Sequence, residues 1–327
     1  MDLSIIVPVY NVEKYIRACI KSIYKQGLDE ECFEVIIVND GTPDRSMEVI
    51  TDIISQHSNI VVINQENQGL SVARNNGIAA AKGEYILIPD SDDLLIENSL
   101  KPLLEKALET KVDLVVADFL TMTDEEIDDF NKKEFKQPEP HFKKIVGEQI
   151  YLELLNPRQC FVWRTLYRRE FLVTEDLRYY PSIRYQDIPF THECYLKAKN
   201  CLRTNILLNI YRKWPGSATN AYKFENSRHF ITAIALTWQL RQIEGLSSEL
   251  LYKIEENVYI SFRNIIYNIL HNSKEKKERY ALIDYINFQN PDLNFTHSIQ
   301  QRIITFMVKN MPHFFIYLYY YYAQIVF

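Results

Sequence analysis

The residues best placed to do chemistry stand in the stretch YILIPDSDDLL, residues 85–95. An apolar run that suits a buried strand ends there in Asp90, Asp92 and Asp93, all within one turn. Three carboxylates so close repel one another, and a hard divalent cation relieves the repulsion. Mg²⁺ and Mn²⁺ prefer oxygen ligands, and Mg²⁺ takes one or two protein carboxylates together with phosphate oxygens. The same letters also suit an ordinary turn, since Asp and Ser hydrogen-bond their own backbone. Polar residues at the ends of other expected strands weigh toward the first reading. Tyr10 offers a ring to stack on a planar base, and backbone groups at Pro8 and Val9 can read its edge. Asp40 closes a second apolar run and can accept from a base or ribose. Arg74 lies one turn into the helix expected after Gly69, where the helix N-terminus also favours anions. A stacking ring, ribose-binding carboxylates and a metal for two phosphates together make a nucleotide-diphosphate site. Neither GxGxxG nor GxxxxGK[ST] occurs, which argues against dinucleotide and P-loop sites. Plainer readings stand beside these: Tyr10 packs in a core, Arg74 pairs with a surface carboxylate, and Glu13 serves only a helix dipole.

Such a site needs a scaffold that brings strand ends together, and the chain alternates accordingly. Residues 3–10, LSIIVPVY, form a continuous apolar run, hence a strand buried on both faces. Residues 11–24 place Val12, Tyr15, Ile16, Cys19, Ile20 and Ile23 at helical spacing, with Asn11 as N-cap. FEVIIVND (33–40) is a second strand; the next helix has Thr42 as N-cap and Pro43 at its first position. NIVVIN (59–64), a small-residue helix over 69–83, EYILIPD (84–90) and DLVVADFL (113–120) continue the alternation. Strands alternating with helices imply an α/β fold with a mainly parallel sheet, wound by right-handed crossovers. Ligands of such sheets bind at the carboxyl ends of the strands. Residues 8–11, 39–44, 64–69 and 89–93 should therefore face one crevice. Residues 121–140 are acidic and lysine-rich with little periodicity, and read as a solvated loop. From about residue 226 the pattern is helical.

Composition sets the class. The 327 residues are 47% hydrophobic and 24% charged, enough for a large globular core and one or two domains. A net charge of -6 argues against a nucleic-acid partner. Five cysteines without CxxC spacing suit a reduced, cytoplasmic protein rather than a disulfide framework or a zinc site. The closing segment, 311–327, is dense in Tyr and Phe yet shorter than the ~20 apolar residues that span a bilayer. It suits either a membrane interface, on the inner face, or packing on its own domain or in a homodimer.

SIIVPVYNVEKYI (4–16), EVIIVNDGTPDRS (34–46) and NQENQGLSVARNNGIAAAKGEYILIPDSDD (64–93) resemble the successive signatures of family 2 glycosyltransferases with a GT-A fold. VWRTLYRREFL (162–172), RYQDIPF (184–190) and YRKWPGSAT (211–219) resemble later elements of the family in the right order. The resemblance implies a GT-A nucleotide-sugar and acceptor-binding domain over 1–222, followed by a helical domain over 223–327. It implies an inverting transfer from a nucleotide-diphosphate donor, with UDP the first expectation, to a saccharide or lipid-linked acceptor in polysaccharide biosynthesis. By the same resemblance Pro8, Val9, Tyr10 and Glu13 line the nucleotide pocket and Asp40 meets base or ribose. Arg74, beyond Gly69, approaches the base, Asp90 and Ser91 lie on the ribose side, and Asp92 holds Mn²⁺ or Mg²⁺. Asp93 supports the turn or caps the next helix. Asp187 is the expected catalytic base, although Gln186 replaces the Glu that precedes it in many relatives; a helix cap is the plainer reading. Trp163 is an acceptor platform or a core residue, and Arg212 with Lys213 assists the diphosphate or is solvated. The Gln186 departure keeps a second function open, a catalytically weak nucleotide-sugar-binding partner in a glycan-assembly complex. A nucleotidylyltransferase is disfavoured, because no Gly-rich loop follows the first strand.

Overall fold

The computed structural model describes residues 1–133, 135–155, 160–214, 224–273 and 275–326, without the side chains of 225 and 321–326. In chain order the first part holds β1 (Leu3–Val9), α1 (Ile16–Ile23), β2 (Phe33–Asp40), α2 (Thr51–Gln56), β3 (Ile60–Gln65), α3 (Leu70–Ala80), β4 (Tyr85–Leu87), β5 (Leu94–Leu95), α4 (Leu100–Thr110) and β6 (Leu114–Thr123). Then follow α5 (Asp124–Asn131), β7 (Phe142–Ile145), α6 (Gly147–Leu154), β8 (Thr165–Arg168), α7 (Arg169–Thr174), α8 (Asp187–Lys197) and β9 (Cys201–Lys213). The strands join one mixed sheet in the order β3-β2-β1-β4-β8-β6-β9-β5, with β7 on β9.

The long ladders are parallel. Leu3–Val9 pairs with Phe33–Asn39, Val35–Asp40 with Ile60–Gln65, and β6 runs along β9. The antiparallel contacts of β8 with β4 and β6 cover only a few residues each. Every residue of β1 is buried, as its unbroken apolar run requires. The small residues of α3 have a packing reason. A Cβ at Gly77 would lie 2.3 Å from Ile6 Cγ2, so only glycine lets this helix approach β1 so closely.

Three local expectations need correction. Asn11 is not an N-cap: it sits at φ 55, and α1 begins only at Ile16. Thr42 does not cap a helix either; its hydroxyl accepts from the Asn11 backbone N–H and donates to Asp44, and the helical turns start at Glu48. Its role is to stitch the β1 and β2 loops together. The acidic stretch after residue 120 is not simply a loop. β6 runs to Thr123, and Thr123 with Glu126 forms a capping box that starts α5, a reciprocal pair of hydrogen bonds that satisfies two helix-end N–H groups.

The chain divides into two compact units. The first contains the sheet and its helices. Among the described residues the second holds 155, 160, 183–192 and 224–326. Its helices are α9 (Ser227–Gln239), α10 (Ser248–Asn272), α11 (Lys276–Gln289), α12 (Ile299–Asn310) and α13 (Pro312–Val326). The expected boundary at 222/223 and residues 215–219 of the third late signature lie outside the described residues. Residues 183–192, read from sequence as part of the first domain, group with the second unit, where Tyr185 packs on Phe230 with ring centroids 4.9 Å apart. Phe295 centres this unit's aromatic core, against Trp238, Tyr259 and Phe262.

Candidate functional site

Because β1, β2, β3 and β4 are mutually parallel, their carboxyl ends lie along one edge of the sheet. Asp40 ends β2 there, buried. Its Oδ1 accepts from Gln65 Nε2 and from the Gln68 N–H, both at 2.8 Å, and its Oδ2 accepts from the Gly69 N–H at 2.9 Å. Both oxygens thus hold the loop that starts α3. Gly69 takes φ 90 at that start, a backbone state an L side chain resists. Five residues on, about 7.5 Å along the helix axis, Arg74 Nη2 donates to Asp90 Oδ1 at 2.5 Å. One helix therefore connects the carboxylate ending β2 with the one following β4. Arg74 is buried, and its guanidinium lies 5.1 Å from the centre of the Tyr179 ring.

The three aspartates after β4 are held differently. Asp90 is the counter-charge to Arg74. Asp92 accepts from the Trp214 indole N–H at 3.1 Å, and its carbonyl accepts from Arg212 Nε at 2.8 Å. Asp93 Oδ1 accepts from the Arg212 N–H at 2.8 Å, while its buried Oδ2 has no partner among the described residues. Burial first, and the charge of Asp90 second, push the Asp92 carboxyl above its usual range. Burial, then Asp90 and Asp92, push Asp93 well above it. Asp92 and Asp93 thus resist ionising even with Arg212 beside them. No three His, Cys, Asp or Glu side chains form a ready cation cage among the described residues. The set does fit a hard cation of the Mg²⁺ or Mn²⁺ kind: an all-oxygen donor group, an orphaned carboxylate oxygen and two carboxyls that resist ionising. The remaining ligands of such an ion would come from phosphates and water.

Several expected site residues take positions the sequence did not indicate. Pro8 and Val9 are buried within β1, which leaves their backbone for recognition. Tyr10 is 47% exposed at the strand end, so its ring is open to a planar ligand. Ser91 is buried beside Asp90. Glu13 is not a free pocket group: its carboxylate accepts from Arg45 Nε, Nη2 and backbone N–H, while its own N–H donates to Asp44. That network ties the loop after β1 to the loop after β2. Asp40 and Arg74, expected on the nucleotide, organise the α3 loop and neutralise Asp90. Trp163 is 2% exposed, clustered with Phe119, Phe161 and Tyr211, and being buried it offers no platform to an acceptor. Arg212 is no solvated cation: it is buried, pairs with Asp124 and lies over the Tyr15 ring. It braces the Asp92–Asp93 turn from behind.

Trp214, Asp124 and Tyr15 had no assigned role in the sequence. The one signal was Trp214, inside a stretch that resembles a family element. Asp124 stood in the acidic run, where nothing distinguished it. Lys14 first and Arg212 second hold its carboxyl below the usual range, opposing the burial that raises it. Asp187 opens α8 in the second unit, where a carboxylate is favoured by the unpaired N–H groups of the first turn. Tyr185, two residues before, sits at φ 34, so the backbone turns sharply into this helix. Nearby His192 is buried, and burial lowers it to about 3, which keeps its ring neutral.

The pattern of the family described as Glycosyl transferase family 2 matches residues 4–172, just over half of the chain. An uncharacterized glycosyltransferase, EpsJ of Bacillus subtilis, is 36% identical over 223 residues, 66% of this chain and 62% of EpsJ. The chain therefore spans less than two thirds of that relative. Glycosyltransferase GlyG of Streptococcus pneumoniae is 28% identical over 86% of this chain and 91% of its own length. Among solved structures, residues 1–349 of S. aureus TarS superpose with a TM-score of 0.71 at 21% identity, covering 96% of this chain and 89% of that one. A likeness at that identity speaks for the fold, which is GT-A. The family match over more than half of its length shows that the chain belongs to glycosyl transferase family 2.

Proposed function

We propose that this glycosyltransferase moves a sugar from a UDP-sugar to a hydroxyl of a saccharide or lipid-linked acceptor, with inversion, in the building of a surface polysaccharide. The observation that carries the reading is the aspartate turn after β4, with a buried carboxylate oxygen of Asp93 left without a partner among the described residues, at the carboxyl edge of the sheet and braced by Arg74 and Arg212. TarS of S. aureus, of the same fold, is described in complex with UDP-GlcNAc and with UDP, which supports a uridine donor. A more distant mannosyltransferase of Pyrobaculum calidifontis is described with GDP-mannose and Mn²⁺, which supports a divalent ion.

In this reading Tyr10 stacks on the base, and backbone groups at Pro8 and Val9 meet its edge. Asp92, with Asp93 beside it, would hold Mn²⁺ or Mg²⁺. When bound, that ion neutralises charge on the departing diphosphate. Asp187 takes the proton from the acceptor hydroxyl while that oxygen forms its bond to the anomeric carbon. The bond from that carbon to the donor phosphate oxygen breaks, and its electron pair leaves with the nucleotide. General-base help of this kind is worth roughly 10²–10⁴-fold.

A thermal-shift panel of UDP, GDP and their sugars, with and without Mn²⁺, tests the donor: a ligand that binds the folded state raises apparent stability by mass action. UDP compounds should give the largest shifts, and only with metal. Equal shifts for GDP, or none for any nucleotide, would refute the assignment. Asp187→Asn should lower donor turnover by at least ~10²-fold while leaving the UDP-induced shift intact. Loss of both together would remove Asp187 from the role of base.

A further inference from the structure

The second unit turns an apolar surface outward. On α12, Ile299 is 78% exposed and Phe306 59%, with Ile303 between them also exposed. At 100° per residue these three side chains fall within one narrow arc, while Thr305 and Val308 are buried on the opposite side. α13 repeats the arrangement: Phe314, Tyr317 and Leu318 are exposed, and Phe315 and Ile316 are buried. The charge pattern is equally one-sided. From residue 293 to 327 there is no Asp or Glu, yet Arg302 and Lys309 are fixed cations, in a chain of net charge -6. Both are exposed, and Arg302 borders the apolar arc of α12.

We propose that α12 and α13 form a docking face for an anionic phospholipid surface. Their exposed Ile, Phe, Tyr and Leu side chains enter the headgroup boundary, and Arg302 and Lys309 stay among the lipid phosphates. Amphipathic helices with a cationic flank lie in a membrane interface in this way, and aromatic side chains favour that depth. No helix among the described residues is long and apolar enough to cross a bilayer, so the contact is peripheral. A second copy of the chain fits the face less well. A two-fold interface sets a patch against itself, and this one carries Arg302 and Lys309 with no carboxylate in 293–327 to complement them, while Asp284, which meets α13, is held by His313. None of its residues is among those assigned to the donor site, so the proposal stands whatever the nucleotide proves to be.

The test is sedimentation of the full chain with vesicles of phosphatidylcholine alone and of an equimolar mixture with phosphatidylglycerol. The wild type should partition onto the mixed vesicles, onto the neutral ones far less, and release as salt rises. Arg302→Glu with Lys309→Glu should weaken partitioning by at least ~10-fold, each lost cation contributing about fivefold. Ile303→Ser with Phe306→Ser should abolish it. Because these positions are exposed, both variants should keep the wild-type melting temperature and its UDP-induced shift, which separates failure of the lipid face from failure of the donor reading. Equal binding to both vesicle types, or no binding to either, would overturn the proposal. So would a solution dimer that Ile303→Ser with Phe306→Ser dissociates while vesicle binding is absent.

Discussion

The carboxylate of Asp92 carries a competitor for its own ligand. The Trp214 indole N–H donates to Oδ2, the same kind of lone pair a cation would take. A hydrogen bond to a charged group is worth about 1.5–3 kcal/mol, and part of that opposes metal binding. Trp214→Phe keeps a ring against Tyr15, whose centroid lies 5.1 Å from that of Trp214, and removes only the donor. We predict that it tightens Mn²⁺-dependent UDP binding by roughly three- to tenfold, about 0.7–1.4 kcal/mol or near half of that energy, as read by calorimetry. Weaker binding in the variant would make the indole part of the ligand site instead. Asp92→Asn should remove the metal dependence of UDP binding altogether. Calorimetric titration of Mn²⁺ in the presence of UDP checks this, and an unchanged isotherm would move the metal elsewhere.

At the scale of the element, α3 is the piece that links the carboxylates at the sheet edge. Its start is tied to Asp40 and its second turn to Asp90, so a small shift of the helix moves both ends of the site. What fixes its distance from the sheet is Gly77 against Ile6. Alanine is the better helix former by about 0.5–1 kcal/mol, yet Gly77→Ala should destabilise the protein by about 1–2 kcal/mol, because overpacking a tight contact costs more than propensity returns. Ile6→Ala on its own also destabilises. Combined with Gly77→Ala it should cost less than the two single losses added together, since the new methyl then fills space that Ile6 has vacated. Denaturant unfolding of the two singles and the double is the check, and simple additivity would mean the contact does not set the spacing.

For the whole molecule, acid sensitivity follows from the loops that edge the site. Burial raises Asp44, but hydrogen bonds from the Ser46 and Thr42 hydroxyls and the Glu13 and Ser46 N–H groups outweigh it and hold the carboxyl at about 2. Between that value and its ordinary one of 3.8 the unfolded chain binds more protons. The stabilisation is therefore complete above the ordinary value and lost as pH falls toward 2. Asp44→Asn should flatten the acid limb of the melting-temperature profile without erasing it, because Asp52, paired with Arg17, also lies at about 2. A variant profile parallel to the wild type below pH 4 would count against the Asp44 network. Asp92 and Asp93 have the opposite sign: their raised carboxyls withdraw stability as pH rises above the ordinary carboxylate range, and a bound cation would cancel that loss.

The sequence by itself determined the strands and the edge they share. A short unbroken run rich in β-branched residues, such as residues 3–9, suits a strand buried on both faces, and strands alternating with helices place Asp40, Asp90 and Asp92 where parallel strands stop. Hydrophobic burial and backbone periodicity are local enough to be read from order alone. Only the tertiary structure decided which partner each polar group takes, because hydrogen bonds join residues far apart in the chain. Asp40 went to the Gly69 loop, Glu13 to Arg45, Arg74 to Asp90, and Arg212 to Asp124, over a separation of 88 residues. Trp163 and Arg212 show the same limit for burial: a Trp or Arg looks identical in sequence whether it faces a cleft or fills the space behind one. A buried polar group must find a partner, and nothing local in the chain says which.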